Sequence, residues 1–250
     1  PSEFAKVSVV LFLTWQIERS HKRTDGFWFM CRTMLTLLPI VGLVGSNNLS
    51  TAIIILGIGV ILIFAASPRY IQFAALGGAG IGFIAIFLAA ESYRLERLAI
   101  WREPEKYEKG FQTIQGLYAI GSGGIFGRGF GNSLQKLGFV PEAQNDMIFS
   151  IICEEMGAAG AIFLIFLFAM LLWRLGVAAM HAKDLAGALI CCGIMGHLAL
   201  QVILNIAVVT NTIPNTGITL PFISYGGTSA VFLLGEMGLA MNVGKCDRIN

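Results

Sequence analysis

Pro214-Asn215-Thr216-Gly217-Ile218-Thr219-Leu220-Pro221-Phe222-Ile223-Ser224-Tyr225-Gly226-Gly227-Thr228-Ser229 stands between two long apolar segments and carries no charge. Hydroxyls, an amide, two prolines and three glycines make up most of its polar and turn-forming content. Lipid offers no hydrogen bonds to irregular backbone, so such a break between membrane spans must fold into protein or line a wet cavity. The stretch therefore reads as a built site between helices rather than a slack linker.

Composition supports the membrane reading. The 250 residues are 56% hydrophobic and 13% charged, with a mean hydropathy of +0.74, whereas soluble domains carry about 25% charged residues. The apolar residues fall in blocks near the roughly 20 residues that cross a bilayer. Seven segments can be drawn, at about 3–18, 28–45, 49–66, 71–90, 147–174, 185–210 and 222–244. The expected fold is all-α: a polytopic membrane helix bundle forming a single integral membrane domain over 1–250, with one long external loop at 91–146. A net charge of +2 is too small to imply a nucleic-acid partner.

Charge predicts orientation. Arg19, Lys22, Arg23, Arg69, Arg174, Lys183, Lys245 and Arg248 lie in or beside alternate connections, while Gly45–Asn48 and Asn211–Pro221 hold no charge. The basic side is expected to be cytoplasmic, with Pro1 outside and Asn250 inside. The 91–146 loop is itself basic, but long translocated segments obey this rule poorly. Its first half, Glu91–Gly110, mixes charges at helical spacing and is expected along the membrane surface. Its second half, Gly121–Gly138, reads as a glycine-rich re-entrant or packed turn.

The chain opens Pro1-Ser2-Glu3-Phe4 with no methionine, basic n-region or cleavage site, which argues against a signal peptide. Pro1 is read as a truncation point, with earlier spans absent. The five cysteines have no metal-ligand spacing and none lies in an external loop, so neither disulfides nor zinc are expected. There is no internal repeat, which counts mildly against a transport fold.

Asp146 is the leading catalytic candidate. It stands where the long loop meets a long apolar helix, in Pro141-Glu142-Ala143-Gln144-Asn145-Asp146-Met147-Ile148-Phe149. Desolvation at such an interface disfavours the charged carboxylate and strengthens it as a base. Position alone favours a helix N-cap, for which Asp is a preferred residue. Upstream, Gly127-Arg128-Gly129-Phe130-Gly131-Asn132-Ser133-Leu134-Gln135-Lys136 joins flexible backbone to small polar groups and two cations. Arg128 and Lys136 can hold phosphate oxygens, and Asn132, Ser133 and Gln135 are further binding candidates. A glycine-rich packing turn with solvated cations is the plainer alternative. No strand precedes this run, so a dinucleotide motif is rejected.

Glu154 lies eight residues after Asp146, about 12 Å along the helix and about 80° around it, and is expected to flank the same cavity. Charges inside spans usually face a partner, so Glu3, Lys6 and Glu236 are expected in structural ion pairs, with Lys6 the cation for Glu236 or Glu154. His197 reads as a packed polar residue.

Four stretches resemble the SEDS family, which contains RodA, FtsW and SpoVE. They are Pro1–Lys6; Gly131–Lys136; Pro141-Glu142 through Phe149 with Glu154-Glu155-Met156-Gly157; and Pro214–Ser229. The Gly-Asn-Ser-x-Gln-Lys form is closer to the FtsW and SpoVE branches than to RodA. The resemblance implies ten spans, about three of them missing here, and peptidoglycan glycosyltransferase activity that polymerises lipid II beside a class B penicillin-binding protein and other divisome or sporulation proteins. It maps the family's essential external aspartate onto Asp146, which turns the balance from capping to catalysis. Many members carry an acidic Pro-Asp-x-Gly-Thr segment where this chain has Ser46-Asn47-Asn48-Leu49-Ser50-Thr51, so any divalent-cation role (Mg or Mn) of that aspartate is in doubt.

The resulting expectation is inverting transfer with release of undecaprenyl pyrophosphate. Asp146 serves as base, and Arg128, Lys136 and more weakly Arg102 face the leaving group. Glu142 and Glu154 contact substrate, and Ser224, Tyr225 and Thr228 shape the cavity floor. The alternatives are a lipid II flippase and a non-catalytic division or sporulation scaffold.

Overall fold

Every regular element in the described residues is helical. The computed structural model describes residues 2–20, 27–67, 77–78, 80, 82, 92–135 and 143–246. In chain order the α-helices are α1 (Ser2–Arg19), α2 (Phe27–Asn47), α3 (Leu49–Ala66), α4 (Ser92–Arg102), α5 (Phe111–Gly123), α6 (Ile148–Met180), α7 (Leu185–Val209) and α8 (Gly227–Cys246). Two single 3-10 turns, Pro104–Lys106 and Glu108–Gly110, join α4 to α5. Among the described residues four helices, α2, α3, α6 and α7, are long and apolar enough to cross a membrane. The chain is an all-α polytopic membrane protein.

The expected spans and the helices differ at instructive places. α6 runs to Met180, six residues past the expected end at Arg174, because the apolar Leu175–Ala179 continues the helix and a long cation can reach water from within a span. α8 starts at Gly227 rather than 222, since Phe222 takes a positive φ of 63°, which a helix cannot contain. The 91–146 connection holds a further helix, α5, that hydrophobic patterning did not separate from the glycine run. The expected span 71–90 lies outside the described residues apart from positions 77, 78, 80 and 82.

The chain divides into two compact units. The first comprises Pro1–Ile84, Leu171–Leu200 and Gly227–Asn250. Here α1 packs on α2, α3 and α8. Its buried Val9, Val10, Leu13 and Ile17 recur at the three-to-four-residue spacing of one helix face. Helix α3 begins at Asn48, whose side chain accepts from the Thr51 amide at 3.1 Å, so the residue that replaces the family's aspartate serves as an N-cap. Small residues let the backbones approach, as is common in membranes: a Cβ on Gly193 would lie 2.7 Å from Val10 Cγ1, and one on Gly196 2.7 Å from Ile61 Cδ1. The neighbouring Cys191 and Cys192 are free thiols, and Cys191 belongs to an apolar cluster with Leu175, Ile194, Leu198, Leu233 and Ala240.

The second unit comprises Ala85–Met170 and Gln201–Gly226. Its core gathers Met147, Phe149, Cys153, Phe168, Val202, Val209 and Leu220. Helix α6 breaks once, at Gly157, where φ is 67° and ψ is −169°.

Candidate active site

The turn at 143–147 that leads into α6 is held almost entirely by hydrogen bonds to its backbone. Asn205, fully buried on α7, donates through Nδ2 to the carbonyl of Asp146 at 2.8 Å and to that of Ile218 at 2.7 Å. Gln201, one helical turn earlier, donates to the Thr219 carbonyl at 3.0 Å. Residues four apart share a helix face, so the two carboxamides form a polar stripe against the irregular 214–226 segment. Ser224 Oγ donates to the Asn145 carbonyl at 2.5 Å and accepts from the Leu220 amide at 2.7 Å. The Tyr225 amide donates to the Gln144 carbonyl at 2.9 Å. Irregular backbone beside the apolar helices is thus satisfied by protein.

Asp146 is half-buried. Its Oδ1 accepts from Gln112 Nε2 of α5 at 3.2 Å. The Gln112 Oε1 in turn accepts from Asn215 Nδ2 at 3.3 Å, and Asn215 Oδ1 accepts from the Gly217 amide at 3.0 Å. A chain of amides therefore orients the carboxylate from the 214–217 stretch. Arg97 of α4 donates to the Asn215 carbonyl at 3.3 Å, and Trp101 Nε1 donates to the Asn211 carbonyl at 2.9 Å. These groups line one cavity of about 270 Å³, bounded by Asp146, Gln112, Arg97, Glu96, Trp101 and Asn215, with Ile100, Thr113, Asn211 and Gly217 completing the wall. It brings two carboxylates, Asp146 and Glu96, and the Arg97 guanidinium to one wall, which suits a reaction needing both a base and a cation for a developing negative charge.

The glycine run is organised around a different carboxylate. Glu154, fully buried, accepts from Ser133 Oγ at 2.5 Å, from the Leu134 and Gln135 amides at 3.2 and 3.3 Å, from Arg128 at 3.4 Å and from Ser122 Oγ at 3.4 Å. Glu155 accepts from the Gly131 amide at 3.0 Å and the Ser133 amide at 3.4 Å. Backbone bonds seal the arrangement: the Arg128 and Gly129 amides donate to the carbonyls of Glu154 and Glu155, and those of Ala158 and Ala159 donate to Gly124 and Ile125. A side chain on Gly157, Gly127 or Gly123 would run into the facing backbone. The 124–135 loop is thereby strapped across the break in α6.

The family model described as "Cell cycle protein", for FtsW, RodA and SpoVE, matches residues 1–249. The chain belongs to the FtsW/RodA/SpoVE family. Among relatives of this FtsW/RodA/SpoVE chain, stage V sporulation protein E of Bacillus subtilis (strain 168) is 39% identical, over 99% of this chain and 69% of that protein. The probable peptidoglycan glycosyltransferase FtsW of Trichlorobacter lovleyi is 34% identical, over 97% of this chain and 65% of that protein. The chain thus spans about two thirds of the length of these relatives. A solved chain from work titled "Structural coordination of polymerization and crosslinking by a peptidoglycan synthase complex" aligns with a TM-score of 0.80 at 27% identity, over all of this chain and 71% of that one.

In this FtsW/RodA/SpoVE member the structure sorts the residues singled out from sequence. Asp146 lines the cavity. Arg128, Ser133 and Gln135 gather on Glu154, and Asn132 Nδ2 donates to the Arg128 carbonyl at 3.4 Å; these residues and Glu154 are absent from the cavity wall. Arg102 is exposed at the end of α4; five residues from Arg97, it points about 140° away around the helix. Ser224 and Tyr225 hold the turn through the bonds given above, while Thr228 lies exposed in the first turn of α8, in the other unit. Lys136 and Glu142 lie outside the described residues.

Lys6, almost fully buried, pairs with Glu3 at 2.8 Å. Glu236 pairs with His197, Nδ1 to Oε2 at 2.9 Å, both side chains 1% exposed. His197 is a packed polar residue, as its sequence context predicts, and its carboxylate partner lies 39 residues away in the chain. Arg97, Gln112, Asn205 and Asn215 were missed. Two carboxamides four residues apart on an apolar helix, Gln201 and Asn205, were the available signal. Among the described residues no three His, Cys, Asp or Glu side chains converge as a metal site.

Proposed function

We infer that this chain is a peptidoglycan glycosyltransferase, polymerising lipid II into glycan strands by inverting transfer. The observation that carries the reading is the cavity lined by both Asp146, oriented by Gln112, and Arg97. Asp146 accepts the proton of the acceptor sugar hydroxyl, whose oxygen attacks the anomeric carbon of the growing chain. The bond from that carbon to the pyrophosphate oxygen breaks, and undecaprenyl pyrophosphate departs with the electron pair. Arg97 is the cation placed to stabilise the departing charge, which shifts that role from Arg128. A positioned base contributes about 10²–10⁴-fold, so the cation and substrate orientation supply much of the remaining acceleration.

The solved chain's origin in a synthase complex that coordinates polymerization and crosslinking supports a class B penicillin-binding protein as partner. The distribution of Arg174, Lys183 and Lys245 supports a site on the outer face of the bacterial cytoplasmic membrane, with the Asn250 end cytoplasmic. Purified intact protein with its penicillin-binding protein, given lipid II, is expected to form polymer, and Asp146→Asn to lose at least about 100-fold while unfolding at the same temperature. Equal polymer from both proteins would remove Asp146 as the base. Folded wild type that never polymerises would restore the flippase or scaffold reading.

A further inference from the structure

We propose that the groove between the C-terminal half of α6 and helix α8 binds an anionic bilayer phospholipid, its acyl chains against Leu171, Leu175, Met237 and Met241 and its phosphate at Arg174 and Lys245. The groove measures about 940 Å³, at the upper end of the roughly 300–1,000 Å³ of small-molecule sites. It lies wholly within the first unit and is distinct from the Asp146 cavity of the second.

Charge complementarity selects the occupant. Apolar walls alone would suit any hydrocarbon chain or a partner helix. This wall also carries Arg174 and Lys245, both exposed and both without an ion-pair partner among the described residues. The nearby Asp184 caps the next helix, accepting from the Gly187 amide at 3.1 Å. Arg174 lies six residues before the end of α6, and Lys245 one residue before the end of α8. Long cationic stems lie along apolar surface while their heads reach the phosphate layer, and basic pockets between membrane helices are fitted to lipid headgroups. Gly238 leaves the trough open, because a Cβ there would meet nothing within 4 Å.

The test is native mass spectrometry of the full chain in detergent, titrated separately with dioleoyl phosphatidylglycerol and dioleoyl phosphatidylethanolamine. Phosphatidylglycerol is expected to bind more tightly and to resist displacement by inorganic phosphate. The Arg174→Gln, Lys245→Gln double variant is expected to weaken it by roughly fivefold per cation removed, leaving phosphatidylethanolamine unchanged. Gly238→Leu, which fills the trough, is expected to weaken both lipids; should it misfold, the charge variant decides. Equal binding of the two lipids that ignores the charge variant would overturn the proposal. So would a dimer that dissociates on Gly238→Leu, because the groove would then seat a second copy.

Discussion

Asn205 shows what one side chain does inside a membrane helix. Its amide has two hydrogens, and both are donated to carbonyls, those of Asp146 and Ile218. Neither carbonyl has lipid as an alternative partner. Asn205→Leu keeps the branched outline of the side chain but removes the donor to both acceptors. Each orphan costs about 1–3 kcal/mol, so the variant is expected to lose about 2–6 kcal/mol and to unfold at a clearly lower temperature in detergent. A transition unchanged from wild type would mean that water reaches both carbonyls. At this scale the sequence was half legible. Asp146 stood out because a lone carboxylate at the edge of an apolar helix is conspicuous. Its orienting partners did not, because Gln112 and Asn215 are ordinary loop and helix residues until folding brings positions 103 apart within 3.3 Å.

Helix α6 is the element on which the glycine loop depends. A glycine run with cations resembles a phosphate cradle, so sequence alone points to Arg128, Ser133 and Gln135 as substrate contacts. The structure spends the same donors on Glu154, and the loop donates to and accepts from the backbone on both sides of the Gly157 break. Periodicity could not reveal this. The apolar pattern of Ile148–Met180 continues through the break, and only the run Glu154-Glu155-Met156-Gly157 marked it. Gly157 combines a φ of 67° with backbone where a Cβ would go, so Gly157→Ala cannot relax by a rotamer change. It is expected to destabilise by more than about 1 kcal/mol, the strain cost alone, with the clash adding to that. Gly238→Ala, helical and facing open space, is the matched control and is expected to gain up to about 1 kcal/mol from helix propensity. Thermal unfolding of the two proteins side by side checks both, and an unperturbed Gly157→Ala would show that the strap is dispensable.

Among the described residues, buried ionisable side chains have partners: Lys6 with Glu3, Glu154 with Arg128 and a ring of hydroxyl and amide donors, Glu236 with His197. The polytopic class and four of the seven expected spans, those of α2, α3, α6 and α7, were legible because burial in lipid imposes long apolar blocks. The pairing was not, because hydropathy registers a buried charge only as a defect and cannot say which distant residue repairs it. The His197–Glu236 pair makes the argument quantitative. With both side chains 1% exposed, removing one partner leaves the other desolvated and uncompensated. Such a loss typically costs about 3–5 kcal/mol. Replacing both by apolar residues removes the orphan as well. His197→Phe and Glu236→Leu are therefore each expected to be strongly destabilising, while the double variant costs less than the sum of the two, and less than either single if the packing heals. Denaturant unfolding of the four proteins in the same micelle closes the cycle. Additive losses would mean that the two side chains do not sense one another, and that the pair is held by its surroundings rather than by mutual attraction.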